Sequence, residues 1–481
     1  MNLKPKILIT KNSIFIILIL SLIQYSGCTK FVEIDAPYTK ITDANVYATD
    51  ATSIAVLTGI YVSINKPGTF TGPQGLSLFT GLSADELTLY SGVTDTRLLA
   101  YYTNALTSNS LQTSDKGTWA TFYNNIFTCN AAIEGLTKSN SLTAAVKQQL
   151  LGEAKFMRAF FYFYLTNLYG DVPLAVSTDY TINKNLYRIE KDQVYQQIIA
   201  DLTEAKSLLA PAYLGPNLLD NSEERIRPNN ATASALLARV YLYHGNWSLA
   251  IKESSEVINN TILYGLESLN NVFLKNSREA IWQLQPIRTG YNTEDGLAFL
   301  IPATGPGYTH PAYLRPELLN NFEPEDQRKL DWVDSTIVTG IAYYYPYKYK
   351  ISTLNAPVSE YLMVLRLGEQ YLIRAEAKLK TGDIEGAKAD LNVIRHRAGL
   401  VDTEATTISA LETAILHERQ VELFTEWGHR WLDLKRTNIV NTLMPLVTPQ
   451  KGGIWQSTDQ LYPIPFDEIK YNSNLTQNPG Y

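Results

Sequence analysis

Cysteine is nearly absent from this chain: 481 residues hold two, Cys28 and Cys129. Two cannot build a disulfide framework or a cysteine-rich metal site. Histidine is sparse as well. His244, His310, His396, His417 and His429 include no pair at i, i+4 and no HExxH motif, so the sequence points to no metal. Charge is modest at 18% of residues, and 41 basic against 47 acidic side chains leave a net charge of −6. Nucleic acid is therefore excluded as an expected partner, since phosphate binding needs a basic face. No GxSxG elbow marks a serine hydrolase. Gly382-Asp383-Ile384-Glu385-Gly386-Ala387-Lys388 fails as a phosphate loop, with three residues between its glycines where four are needed. What the chain has instead is 45% hydrophobic residues, too many for a disordered chain, and 31 tyrosines against 15 phenylalanines. Tyrosine offers a flat apolar ring with a polar tip.

The N-terminus speaks to compartment. Lys4, Lys6 and Lys11 precede an apolar run from Ile14 to Ile23. A basic region followed by about ten apolar residues reads as a secretory signal, and it falls short of the roughly 18 that span a membrane. The run closes on Tyr25-Ser26-Gly27-Cys28, which resembles the lipobox of bacterial lipoproteins, with Tyr25 where leucine is usual. Residues 1–27 are then a signal peptide and Cys28 the lipid anchor. The alternative is an ordinary cleaved signal with an incidental cysteine. Cys129 is expected as a small buried side chain in a helix.

The periodic segments are helical. Residues 118–136, 143–169 and 191–209 each carry a stripe at helical spacing, and Gly170 with Pro173 ends the second. Two pairs look alike: 232–244 with 247–258, and 364–380 with 384–397. Aligned on the turn glycines Gly245 and Gly382, Ala238 matches Ala375, Ala250 matches Ala387, and Val257 matches Ile394. Small residues there let antiparallel helices approach closely, the logic of a tetratricopeptide pair; two ordinary helical hairpins are the other reading. Lys378 stands where the first pair has Tyr241. Ser409 to Arg436 reads as one helix whose charges at spacings of three and four form structural ion pairs on neighbouring positions. Between the pairs, residues 262–359 are rich in proline, glycine and tyrosine, with short strands such as 280–284 set in turns. Gly68 to Ser114 has a similar texture.

Taken in order, these segments resemble the SusD/RagB family of outer-membrane nutrient-binding lipoproteins. The resemblance rests on Ser83-Ala84-Asp85-Glu86, on Glu153 to Ala159 running on to Tyr169-Gly170-Asp171-Val172-Pro173-Leu174, and on Asn392 to Gly399. It continues through Glu418-Arg419 and Arg430-Trp431-Leu432-Asp433-Leu434-Lys435-Arg436 to Tyr462-Pro463-Ile464-Pro465 and the ending Gln477-Asn478-Pro479-Gly480-Tyr481. It implies a mostly α fold over 28–481. A tetratricopeptide-like helical-pair scaffold would occupy about 40–66, 118–260 and 360–437. A loop-rich half with short strands would occupy about 67–117, 261–359 and 438–481. It further implies a surface-exposed lipoprotein held by outer-membrane lipid, with an oligosaccharide ligand, a SusC-like TonB-dependent transporter as partner, no catalytic residues and no cofactor.

Sugar rings present apolar C–H faces that stack on aromatic side chains, while their hydroxyls need polar groups at the rim. The candidates in the loop segments are Tyr90, Arg97, Tyr291, Asn292, Tyr308 and Tyr313, and each has an ordinary packed or surface role as its alternative. Trp119 and Trp282 are expected in the core. Tyr343-Tyr344-Tyr345 should alternate across a strand. A glycoside hydrolase needs only two carboxylates across a cleft, so it stays open, as does a helical interaction scaffold without a small ligand.

Overall fold

The computed structural model describes residues 46–68, 70–110 and 117–481. The signal segment 1–27, the anchor Cys28 and the start of the expected scaffold at 40–45 lie outside the described residues. The fold is mostly helical, with four two-stranded sheets among those residues.

Helix α1 (Asp50–Asn65) starts where the Thr49 side chain accepts the Thr52 N–H. Two short helices follow, α2 (Leu76–Ser83) and α3 (Thr96–Tyr102), in a stretch expected to be loop. Every residue of α2 is buried, so low charge there marked a core helix rather than a surface loop. Next come α4 (Gly117–Lys138), α5 (Ala144–Tyr169) and α6 (Lys191–Leu208). The α5 stripe proved wider than its spacing suggested: from Phe156 to Tyr169 every side is buried. A helix can be buried all round only if its polar groups are paired. Arg158 grips both oxygens of Asp201 at 2.8 and 2.6 Å, and Glu153 takes Arg227 at 2.7 Å. Gly170, at φ +77, ends α5 and donates to the Thr166 carbonyl. Cys129, Trp119 and Trp282 are buried as expected.

The two look-alike pairs are α7 (Asn230–His244) with α8 (Trp247–Ile258), and α9 (Leu367–Lys380) with α10 (Ile384–Arg397). Ala238, Ala250, Ala375 and Ala387 are all fully buried between their helices. The pairs are distant in sequence but neighbours in space: α8 packs on α9, and Arg374 reaches Ser255 at 3.2 Å. The helical-pair scaffold is therefore continuous. Lys378, the departure from the repeat, pairs with Asp390 at 2.8 Å.

The run expected as one helix is two, α11 (Ile408–Leu423) and α12 (His429–Arg436). Between them Thr425, Trp427 and Gly428 take positive φ. The break turns Phe424, Glu426 and Trp427 inward, and a Cβ on Gly428 would lie 2.9 Å from the Thr80 hydroxyl. His417 and His429 therefore sit on separate helices. The ion pairs are real, but apart from Asp433 with Arg436 three residues on, their partners are not neighbours on the helix. Arg419 pairs with Asp433 and Arg430 with Asp85, each at 2.7 Å. Glu418 and Glu422 are wholly buried and meet Arg328 at 2.6 and 3.0 Å; Glu422 also binds Arg366 and Arg397. Glu426 takes Arg366 at 2.8 Å and Lys348 at 2.5 Å. Helix α13 (Val440–Gln450) follows, and a short helix, α14 (Phe466–Tyr471), comes last.

The strands sit mainly in the insertion. β1 (Leu87–Leu89) pairs with β5 (Ala312–Leu314), and β2 (Val172–Pro173) pairs with β3 (Arg188–Ile189). β4 (Ala280–Leu284) pairs with β8 (Leu362–Arg366) at the two ends of the insertion. β6 (Val333–Val338) and β7 (Ile341–Pro346) form a hairpin. All four pairings are antiparallel.

Candidate ligand-binding surface

Register builds this surface. Thr88 stands opposite Tyr313, while Leu87, Leu89, Ala312 and Leu314 turn to the buried face of the same ribbon. The Tyr90 N–H continues the pairing by donating to the Pro311 carbonyl at 2.8 Å. Two stretches more than 200 residues apart thus share one edge. In the hairpin Tyr343, Tyr344 and Tyr345 oppose Thr336, Ser335 and Asp334. The expected alternation holds. Tyr344 is 42% exposed, Tyr345 packs on Leu300 and Ile301, and half-buried Tyr343 lies between.

Tyr343 joins the group. Its ring meets Tyr313 edge-on at 5.2 Å and 82°, and Tyr90 at 6.1 Å and 80°. Half-buried Tyr102 lies beside Thr88 and Arg315, and burial raises its hydroxyl pKa. Burial, reinforced by Asp334, pushes Tyr345 up to about 12. These phenols stay protonated at neutral pH, so each can donate as well as accept. Buried Arg315 supports the edge, reaching Glu317 at 3.0 Å and Gln450 at 2.6 Å. Flat rings ringed by hydroxyls can stack on the C–H face of a sugar and hydrogen-bond its rim.

The six sequence candidates divide. Tyr90 and Tyr313 meet through Tyr343. Tyr308 is 75% exposed on the neighbouring loop, where Gly305 packs against Val338 at the hairpin tip. Tyr291 lies apart, with the Arg288 guanidinium 4.5 Å over its ring. Asn292 needs correction. It is 3% exposed, and its side chain donates to the Pro357 carbonyl and accepts the N–H groups of Ser359 and Glu360. Those backbone groups would otherwise be unsatisfied, so Asn292 holds a loop shut. Arg97 also departs from a rim role. Its guanidinium lies 5.3 Å over Phe79, which stacks on Tyr101 at 4.3 Å. Tyr343 and Tyr102 were missed as site residues. Strand alternation separated Tyr343 from Tyr344, but nothing local to the sequence says which face meets β1 and β5.

The adjacent carboxylates Asp85 and Glu86 are not poised for acid–base work across a cleft. Burial favours the neutral form of Asp85, but the two-pronged contact with Arg430 outweighs it and holds the pKa below the ordinary range. Glu86, buried beside that charge, is raised to about 8 and accepts the Thr425 N–H at 3.2 Å. A carboxyl protonated in the fold and ionised in the unfolded chain loses stabilisation as pH rises from about 4.5 to about 8. Glu86→Gln should match the parent in thermal stability at pH 5 and exceed it by pH 8. A gap that does not widen with pH contradicts the assignment. Among the described residues, no group of three or more His, Cys, Asp or Glu is placed to hold a metal ion.

Comparison with known proteins agrees with this architecture. The SusD family profile matches residues 340–481, and a profile described as starch-binding associating with outer membrane matches residues 84–242. A SusD-like protein of Formosa agariphila is 29% identical over 418 residues, covering 76% of this chain and 80% of its own length. A laminarin-binding SusD-like protein has the same fold at TM-score 0.74, with 23% identity over 89% of this chain and 99% of its own. Surface glycan-binding protein A of Bacteroides uniformis superposes at TM-score 0.76, with 21% identity over 89% of this chain and 99% of its own. The two solved structures are named for what they bind, not for a reaction. With the helical-pair scaffold and the two profile matches in one chain, the protein belongs to the SusD/RagB family.

Proposed function

We propose that this chain is a lipid-anchored protein of the outer-membrane surface that binds a saccharide and delivers it to a SusC-like TonB-dependent transporter. The observation that carries the reading is the convergence of Tyr90, Tyr313 and Tyr343 from three separate segments into one half-buried ring cluster. Rings gathered for core packing alone would be buried throughout. These keep an open side, with the exposed ring of Tyr308 on the neighbouring loop. The laminarin-binding and glycan-binding fold neighbours support a saccharide, and the outer-membrane description of the matching profile supports the location. Among the described residues no helix is long and apolar enough to cross a membrane; in this reading the anchor is lipid on Cys28. The surface binds without reacting.

The test is calorimetric titration of the purified protein with neutral oligosaccharides, with reducing ends assayed in parallel. Heat of binding to at least one saccharide with unchanged reducing ends is the expected result. Turnover that disappears when one carboxylate is removed overturns the reading, and so does silence across the panel.

A further inference from the structure

A second feature lies away from the tyrosines. A cavity of about 410 Å³ opens between the C-terminal ends of α5 and α12, the start of α6 and the final residues of the chain. Its wall carries Arg188, Lys191, Lys435 and Arg436, with Asp171 as its one carboxylate and Asn167 beneath. Three motifs meet there: Tyr169 to Leu174, Arg430 to Arg436, and Gln477 to Tyr481. None of them belongs to the tyrosine surface.

Four cations in one cavity need explaining in a chain of net charge −6. Arg436 is accounted for, held by Glu376 and Asp433. The other three form no ion pair among the described residues. Arg188 donates to the carbonyls of Asp171 and Thr476 and to the Asn478 side chain. Lys191 Nζ donates to Asn167 Oδ1 at 3.2 Å, and Lys435 Nζ to the Asn167 backbone carbonyl. Each ammonium thus uses one of its three N–H groups within the structure. Asp171 already accepts the Lys191 backbone N–H at 2.9 Å.

Asp171 is the one carboxylate in the wall against three cations, while Asp192 acts on Lys191 from outside it, beside its contact with His244. The C-terminal ends of α5 and α12 add partial negative charge, and the N-terminal end of α6 adds partial positive charge. The lysines show the strain of this. Burial lowers the pKa of both, and the repulsion of Lys191 lowers Lys435 further. Cations brought together this way, with spare donors facing a cavity, are arranged for an anion rather than for each other.

We propose that this cavity binds a small oxyanion group, a sulfate, phosphate or carboxylate, held by Lys191 and Lys435 with Arg188 at its side. The group arrives either as a free ion or as a substituent of an acidic saccharide. The site is independent of the tyrosine surface and does not rest on its function.

Sodium sulfate titrated into the purified protein, at ionic strength held constant with sodium chloride, tests the first source. A sulfated oligosaccharide and its desulfated form test the second. Sulfate should raise the thermal unfolding midpoint where chloride does not, and Lys191→Gln and Lys435→Gln should each weaken binding at least tenfold. Much of the Lys191 side chain stays in solvent although its ammonium end is enclosed against Asn167, so its variant should fold even if the other does not. A preference for the sulfated sugar that both variants abolish assigns the saccharide source; binding of sulfate alone assigns the free ion. If neither sulfate nor the sulfated sugar binds, or the variants bind like the parent, the site is wrong. Tyr343→Ala should leave sulfate binding unchanged, which separates this outcome from failure of the tyrosine surface.

Discussion

Replacing Glu422 with alanine is expected to lower the free energy of unfolding by about 3–5 kcal/mol. Glu422 is wholly buried and touches Arg328, Arg366 and Arg397 at once. Around it Arg366 also binds Glu279 and Glu426, Arg328 binds Asp326 and Glu418, and Lys348 binds Glu426. Removing the central carboxylate leaves three guanidiniums facing one another out of water. The cost comes from that stranding, not from the worth of one pair, because a buried pair barely offsets its own desolvation. Glu422→Gln, which keeps the shape and loses the charge, should fall between the two. Burial alone would raise the Glu422 pKa, but Arg397, Arg366 and Arg328 together hold it well below the usual carboxylate range. Its contribution is therefore complete above about pH 4.5 and lost as pH falls below that. Urea unfolding at pH 7 and again near pH 3.5 measures both effects. A loss under about 1 kcal/mol at pH 7, or a parent–Gln gap that does not shrink in acid, would count against this account.

Tyr343→Ala should weaken saccharide binding about thirtyfold, the equivalent of about 2 kcal/mol. The effect is larger than one lost stacking contact. Tyr90 and Tyr313 both rest their rings on Tyr343, so its removal frees two further rings that must be ordered again on binding. Tyr344→Ala is the control, since the next side chain along the strand points the other way. It should bind within twofold of the parent. Calorimetry on both, with unfolding midpoints to confirm intact folding, decides the matter. Equal losses in the two variants would remove the cluster from consideration.

The helical half was legible because period and punctuation are local. Gly170 and Pro173 end α5, and Gly245 and Gly382 turn the two pairs, within a residue or two of where the chain signals them. Burial was less legible. Glu418, Glu422 and Glu426 follow an ordinary helical spacing, and only partners from other segments, such as Arg328, Lys348 and Arg366, reveal them as core. The same limit applies to the site. Tyr90 and Tyr313 could be chosen as loop aromatics, but their meeting depends on the β1–β5 register and on a hairpin from a third segment. Asn292 had the composition of a binding residue and the job of a loop bracket, a difference fixed by three backbone groups that no motif announces.

The hairpin that presents Tyr343 is flanked by Trp332 and Lys348, both buried, and the Tyr347 N–H closes its base on the Trp332 carbonyl at 2.7 Å. Trp332 is pinned to the Leu269 carbonyl, and Lys348 reaches the carbonyls of Glu422 and Phe424 as well as Glu426. The hairpin is thus a cantilever bolted into a buried block of paired charge. Its tip can change residue by residue while its mounting does not, so new ligand preferences can be tried without realigning the scaffold. The converse also follows: damage to the mounting would tilt the tyrosines out of register with the β1–β5 edge, blunting recognition without altering a single residue that meets the ligand.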